Sequence, residues 1–465
     1  MVTEAAPPAS AEPEPEPEAP SGPSGLVSKV WNAFDGLAGD TMWSGAHDAL
    51  QLVTALTSFY LLQRGLGLES YGAYVSFYGL LGAFGAMCYS GVGLALLQRL
   101  MGEGDEPSTS LRSFLSLTLL AGSVGSVIAI LLGAFTLTLT WAEVTIIVMA
   151  EIMTVAVIFL SSTAVQAVSG FAAAVRVKGA VIPMRLGVLL SLYATDSLTI
   201  RNLGTGFLLC FTLYCVYLLL YHLPKHGYRV SFGVPSEEAR RSSLMFSAPM
   251  GASKLQTDGD KYLLGAFRHT TDAGLYGAAY RMVLLGTLPL LALDTAAFQR
   301  FLPKGEGIPG LHLRRSVLLA SLMGGASLFV AAGLYVMLPF LDFLFDEEFK
   351  QAADIVPWLL ILIPLIATSS TPLNGLLGLG LADKRMWVYI SSAVVSLFLY
   401  AVLIPPFGWE GALVATIISE IYLSIAGWAA LWYHQRLADA ELSIRKALGS
   451  DWQPDQSFAT ITGPL

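Results

Sequence analysis

Positive charge is nearly absent from most of this 465-residue chain: about a dozen long apolar stretches between Met42 and Tyr433 carry almost no Lys or Arg. Charged residues make up 13% of the chain and hydrophobic residues 54%, proportions that exclude an ordinary soluble domain. Cysteine is scarce too. Cys88, Cys210 and Cys215 lie in apolar stretches, lack metal-ligand spacing and leave an odd number for pairing, so they read as packing residues. No Gly-x-x-x-x-Gly-Lys-Ser/Thr segment occurs, which excludes ATP hydrolysis through a P-loop. The Gly-rich stretch 375–380 lacks the strand–turn–helix setting of a dinucleotide site and suits close helix packing better. No cofactor, no metal and no nucleic-acid partner is expected.

What is present reads as membrane-spanning helix. Spans of about 20 apolar residues cross the roughly 30 Å hydrocarbon core, and they fall near 42–63, 71–98, 112–135, 142–172, 180–195, 205–222, 243–267, 274–299, 315–339, 352–378, 386–404 and 410–433. The fold class is therefore all-α and polytopic, with about twelve transmembrane helices. Lys and Arg favour cytoplasmic loops. With the N-terminus inside, only Arg64, Arg201, Arg268 and Lys350 fall outside, while Arg185, Lys254, Lys261 and Arg281 lie within spans; the other eighteen of the 26 basic residues are cytoplasmic. Both termini are expected in the cytoplasm.

The chain divides in order into an acidic Pro/Glu/Ala-rich tail (1–24), an interfacial amphipathic helix (25–40), a first six-helix bundle (41–226), a linker (227–242), a second bundle (243–434) and a C-terminal tail (435–465). The first tail carries Glu4, Glu12, Glu14, Glu16 and Glu18 and lacks the basic start and cleavage site of a signal peptide, so disorder and retention are expected. Leu26, Val27, Val30, Trp31, Phe34 and Leu37 recur at helical spacing, the mark of the interfacial helix. Two halves of six helices share one orientation, which implies parallel repeats about an axis along the membrane normal, as in many transporters. Tyr71-Gly72-Ala73 near the start of the second helix and Tyr276-Gly277-Ala278 in the eighth support the repeat.

The segments Asp258-Gly259-Asp260-Lys261-Tyr262-Leu263-Leu264-Gly265 and Ala273-Gly274-Leu275-Tyr276-Gly277-Ala278-Ala279-Tyr280 resemble the seventh-to-eighth helix signature of Wzx-type polysaccharide flippases. These belong to the multidrug/oligosaccharidyl-lipid/polysaccharide (MOP) superfamily. Leu66-Gly67-Leu68-Glu69-Ser70-Tyr71-Gly72, Leu344-Phe345-Asp346-Glu347-Glu348-Phe349 and the run from Ile404 to Ala412 are similar to further elements of that family, in the same order over residues 40–435. The resemblance implies two six-helix bundles around a central cavity in the bacterial cytoplasmic membrane. It also implies export of polyprenyl-diphosphate-linked oligosaccharide by alternating access, for a cell-surface polysaccharide such as lipopolysaccharide O-antigen. Membrane lipids and polysaccharide polymerase machinery are the implied partners.

Charges inside spans need protein or water, because each costs on the order of 2.5–3.5 kcal/mol at a helix centre. Arg185, Lys254, Lys261 and Arg281 suit a diphosphate, Arg as a bidentate fork and Lys as a point charge. Lys254, Asp258 and Lys261 share one face at i, i+4 and i+7. Alternatively Asp258 or Asp260 neutralises Lys261 or Arg281, or these side chains snorkel to the interface; Lys254 and Arg185 show no obvious acidic partner on their own helices. Glu151, Asp258 and Asp260 are candidates for coupling to protons or sodium, since burial favours a neutral carboxyl. Asp48 and Asp294 fall near helix ends where water reaches them, and Glu420 can pair with a neighbouring helix. His47, Gln51, Thr54 and Ser58 form a polar line on the first helix that suits either sugar hydroxyls in a wet cavity or helix–helix hydrogen bonds. Pro183, Pro249, Pro289, Pro357 and Pro364 interrupt apolar helices as hinges or fixed kinks.

Two other classes compete with the flippase. A small-molecule exporter of the same superfamily would favour acidic cavity charges for cationic drugs. A membrane glycan polymerase or ligase would need an extracytoplasmic catalytic surface, and the short loops leave little room for one, so an enzyme is not expected. Asp258-Gly259-Asp260 has the Asp-x-Asp form of some glycosyltransferases but lies on a predicted helix without a nucleotide-binding domain.

Overall fold

A chain in lipid has no water to satisfy its backbone, so apolar stretches of this length become helices. In the computed structural model no strand occurs among the described residues, and the all-α expectation is met. The structure describes the backbone of 23–103, 106–298, 310–341, 345 and 347–448. Side chains are described within that set from Leu50 to Ser443, apart from 102, 103, 285, 288, 289, 291–298, 311, 340 and 341.

Twelve helical rods follow one another. α1 (23–66) and α2 (68–103) are separated by one residue, Gly67, at φ 73 and ψ 168. Next come α3 (Pro107–Thr136), α4 (Trp141–Ser169), α5 (Phe171–Ala194) and α6 (Ile200–Lys225). The second half holds α7 (Glu237–Ala266), α8 (Thr270–Phe298) and α9 (Leu311–Leu341). α10 joins Glu347–Leu359 to Leu362–Gly378 across a 48° bend flanked by Pro357 and Pro364, and α11 (382–407) turns into α12 (409–448) at Gly408, φ 55. Turns α1–α2, α7–α8 and α11–α12 lie on one face of the bundle, called here the Gly67 face; the chain ends lie towards the opposite, terminal face.

Several boundaries differ from those read in the sequence. α4 ends at Gly170, whose φ of 81 stops the helix, so α5 starts at Phe171 instead of near 180. α7 begins inside the expected linker: the Ser236 hydroxyl accepts from the Ala239 N–H, and Glu237 and Glu238 occupy the positive end of the helix dipole. A polar first turn reads as loop in a hydropathy pattern, which is why the linker looked longer. The backbone runs as one helix from Pro23 to the Gly67 turn, without a break near 40, and α12 continues to Leu448. Residues 1–22 and 449–465 lie outside the described set.

Among the described residues, seven helical stretches are long and apolar enough to cross a membrane, or eight with the bent α10. Two of the seven, 52 and 62 residues long, are each a pair of crossings folded at Gly67 and Gly408. α7 falls outside that group because Gln256, Asp260 and Lys261 are buried within it. It can carry them because it packs against α2 on one side and α11 and α12 on the other, which shields it from lipid.

The halves meet where α2 lies against α7 and α8. The two Tyr-Gly-Ala segments belong to this contact, with Tyr71 and Tyr276 fully buried. A methyl group at Gly72 would run into the Thr270 carbonyl oxygen and lie 3.1 Å from the Gly274 nitrogen, so only hydrogen fits there. Gly187 on α5 has no neighbour within 4 Å of such a methyl. Replacing Gly72 by Val is therefore expected to destabilise the detergent-solubilised protein by about 1–3 kcal/mol, the usual cost of overpacking. Gly187→Val should shift the melting temperature much less, and equal shifts would show that the α2–α8 contact is not close-packed.

Candidate substrate cavity and buried charge clusters

A cavity of about 350 Å³ opens among α1, α2, α5, α6 and α8. Gln51, Thr54 and Ser58 line it from α1, so three members of the polar line read on that helix face the cavity. His47, the fourth, lies outside the residues whose side chains are described, as do Asp48, Pro289 and Asp294. α5 contributes Lys178, Ile182, Arg185 and Leu189 at i, i+4, i+7 and i+11, a single helical face. Tyr74 comes from α2, Leu203 and Phe207 from α6, and Arg281 from α8 of the second half.

Among the described residues the lining thus holds three cations, Lys178, Arg185 and Arg281, and no carboxylate. Arg185 is held from behind. Its two terminal nitrogens grip both oxygens of Glu151 on α4, Nη1 at 2.6 Å from Oε1, and its guanidinium lies 5.2 Å from the ring centroids of Phe207 and Phe211. The Tyr78 hydroxyl donates to Glu151 Oε1 at 2.7 Å. Glu151 stands in a π-helical stretch of α4, Met149–Thr154, where the widened turn changes which residues point inward. Such a bidentate pair fixes the guanidinium and neutralises most of its charge. Arg281 differs: among the described residues no carboxylate lies within ion-pair distance of it. It stands beside Tyr74 in the lining and lies 5.7 Å from the Tyr71 ring centroid.

The other candidates form a second cluster on α7, outside the cavity lining. Lys261 Nζ lies 3.1 Å from Asp260 Oδ1, 3.3 Å from Asp258 Oδ1 and 2.8 Å from the Thr257 carbonyl oxygen, with the Tyr280 ring 3.7 Å away. Asp260 is fully buried and accepts in addition from the Tyr276 hydroxyl at 2.9 Å and the Lys261 N–H at 2.8 Å. Lys254, whose side chain is 53% exposed, reaches Asp258 Oδ2 at 3.6 Å. One sequence reading is corrected here: Lys254 does have an acidic partner on its own helix, one turn on. Arg185 finds its partner on the neighbouring α4. Neutralisation of Lys261 by Asp258 and Asp260 is seen, whereas neutralisation of Arg281 by either is not. Glu420 on α12 is buried and accepts from Gln256 Nε2 and Ser369 Oγ, each at 3.1 Å.

The sequence reading therefore named two of the three cavity cations, Arg185 and Arg281, and placed Lys178 in a loop. The spacing of Lys178 from Arg185, seven residues on one helical face, was the signal available for it. Tyr74 and Phe207 carried none, since an aromatic residue in an apolar span looks the same whether it faces lipid, protein or a cavity.

No protein-family model and no curated protein matches the chain. Solved structures do. An inward-facing multidrug-resistance MATE transporter of the MOP superfamily aligns with a TM-score of 0.64 at 15% identity, over 85% of this chain and 95% of its own. An outward-facing structure of such a transporter aligns at 0.54 and 14% identity, over 85% and 96%. A MOP superfamily transporter from Pyrococcus furiosus, described as having a binding pocket of reverse polarity, aligns at 0.54 and 13%, over 88% and 94%. At these identities the likeness is one of fold alone. The cavity runs from Leu62 and Leu189 towards Gln51 and Lys178 on the terminal side.

Removing one member of the buried pair leaves the other charge unpaired, which typically costs about 3–5 kcal/mol. Glu151→Gln is expected to lower the melting temperature sharply, and Glu151→Gln combined with Arg185→Gln to recover much of the loss. A double variant no better than the sum of the singles would show that the two side chains do not act as a pair.

Proposed function

We propose that this chain is a transporter of amphiphilic anions, and that its substrate is a polyprenyl-diphosphate-linked oligosaccharide moved from the cytoplasmic to the outer leaflet by alternating access. The observation that carries the reading is the charge of the cavity: among the described residues, Lys178, Arg185 and Arg281 line it and no carboxylate does. A diphosphate brought below the headgroups needs its charge met, and guanidinium groups meet it with paired hydrogen bonds. Gln51, Thr54 and Ser58 supply donors and acceptors for sugar hydroxyls beside those cations. At about 350 Å³ the cavity takes the polar head of such a substrate, while its polyprenyl tail stays in lipid. The distribution of basic residues orients the termini to the cytoplasm, so this cavity would load from the side where the lipid-linked sugar is made.

The structural neighbours favour a second reading, since the first two are described as multidrug transporters. Small-molecule export suits a cavity of this size as well as a lipid head does. The cationic lining then selects against cationic drugs and for neutral or anionic amphiphiles. A polymerase or ligase has less support: the turns on the Gly67 face at Gly67, 137–140, 195–199, 267–269 and Gly408 offer no catalytic surface.

Vesicles containing the purified protein and a polyprenyl-diphosphate oligosaccharide separate the readings. Protein-dependent exposure of the glycan to an added cleaving enzyme is expected. Arg281→Gln should slow it by about tenfold or more, the contribution of one charge-assisted hydrogen bond. Export of a neutral or anionic dye with no glycan exposure would replace the flippase by the small-molecule exporter.

A further inference from the structure

The Gly67 face is held shut by parts drawn from both halves. Phe345, just before α10, and Phe349, in its first turn, are buried against the first two helices. Phe345 meets Phe59 edge-on at 5.9 Å, and Phe349 meets Tyr71 edge-on at 5.3 Å. Between them Glu348 Oε2 accepts the Leu68 N–H at 3.0 Å. Leu68 opens α2, and the first N–H groups of a helix have no partner within it. A carboxylate there acts as an N-terminal cap and sits favourably on the helix dipole. In this protein the cap of α2 comes from the other half of the molecule, so it breaks when the halves part on that face.

Tyr71 connects this clasp to the cavity. Its ring is fully buried and its hydroxyl has no hydrogen-bond partner among the described residues, so its position is set by what lies around the ring. Phe349 and Phe59 meet its ring edge-on at 5.3 and 6.1 Å, and the Arg281 guanidinium lies 5.7 Å from its centroid. Arg281 also lines the cavity beside Tyr74, one turn along from Tyr71. The same guanidinium therefore faces the substrate cavity and supports the ring on which the clasp closes.

We infer that Arg281 is a positioning residue through which the substrate's phosphate releases the clasp on the Gly67 face. The inference rests on the anionic substrate proposed above. A phosphate in the cavity offers Arg281 charge-assisted, bidentate hydrogen bonds, which are stronger than its contact with a tyrosine ring. Arg281 then leaves Tyr71 and Tyr74, Tyr71 loses its backing against Phe349, and the face opens. A ligand shifts such an equilibrium only through unequal affinity for its two states, and here the inequality lies in whether Arg281 must be taken from its tyrosines. A neutral amphiphile gives no such pull and leaves the clasp shut.

The test uses the full chain in lipid nanodiscs, with Cys88, Cys210 and Cys215 replaced by Ala and spin labels at Glu69→Cys and Gln351→Cys. Both labelled positions are exposed near the clasp. Pulsed electron resonance should show one short distance without ligand and a longer population with farnesyl diphosphate, but not with farnesol. Phe349→Leu and Glu348→Gln should show the longer population without ligand while still binding farnesyl diphosphate. Arg281→Gln should show it without ligand and respond no further. Both clasp variants remaining short would overturn the clasp, and an Arg281→Gln variant that stays short and still opens with farnesyl diphosphate would remove Arg281 from the link. Binding of farnesyl diphosphate to the parent protein without a change in distance would overturn this inference alone. Absence of binding would take the anion reading down with it.

Discussion

A charge carried into an apolar slab has to arrive with its partner, and most of this molecule is arranged around that demand. Arg185 and Glu151 satisfy it across two helices, with Tyr78 adding a third hydrogen bond to the carboxylate. Lys261 satisfies it on its own helix, enclosed by Asp258 and Asp260 and capped by the Tyr280 ring. Because these pairs need neighbours on every side, the helix that carries most of them, α7, cannot face lipid. It occupies the middle of the contact between halves, and the more apolar α3, α6 and α9 present large exposed side chains such as Phe135, Leu213 and Phe329 to the bilayer. The order of helices from centre to edge is thus a consequence of where the ions sit.

The same contact must hold the halves together and let them part. Aliphatic side chains interlocked across it would resist separation; glycine and hydroxyl groups do not. At the Gly67 end, α2 and α8 cross at Gly72 and Gly274 with backbones touching, so the contact is shallow and its shape is set by main chain. Specificity is then left to a few polar and aromatic contacts, the Glu348 cap and the Phe345 and Phe349 rings on that face and the Arg99–Glu238 pair at 2.8 Å towards the other. A close-packed but weakly interdigitated seam with a small number of discrete links has few intermediate arrangements, which is what a two-state movement requires.

Much of the fold was legible because lipid imposes a strong and simple rule. Apolar length marked the spans, and the period of a helix put Gln51, Thr54 and Ser58 on one face, where the structure finds them lining the cavity. Boundaries were less legible where a helix begins in polar residues, as α7 does at Glu237, or where a glycine ends one early, as at Gly170. What could not be read was pairing between helices. Nothing in the chain says that Glu151 meets Arg185 across 34 residues, or that Glu348 caps a helix 280 residues earlier. Lys178 shows the intermediate case: its spacing from Arg185 was visible, but proximity to a span end made it look like one more loop cation.

Fold and charge answer different questions about this protein. The twelve-helix frame is shared with transporters described as multidrug exporters and with one described as having a pocket of reverse polarity, so the frame itself does not select a cargo. Selection falls to side chains that the frame tolerates in either sign. Among the described residues Glu151 is committed to Arg185, and Arg281 enters the same cavity from the opposite half beside Tyr71 and without a carboxylate at ion-pair distance. A cationic guest would have to displace that arrangement without finding an anion to receive it. An anionic guest meets a guanidinium whose present partners are weaker than itself, and because that guanidinium belongs to one half while Lys178 and Arg185 belong to the other, binding draws on both. That is the condition under which occupancy of the cavity and the relative position of the halves become one equilibrium.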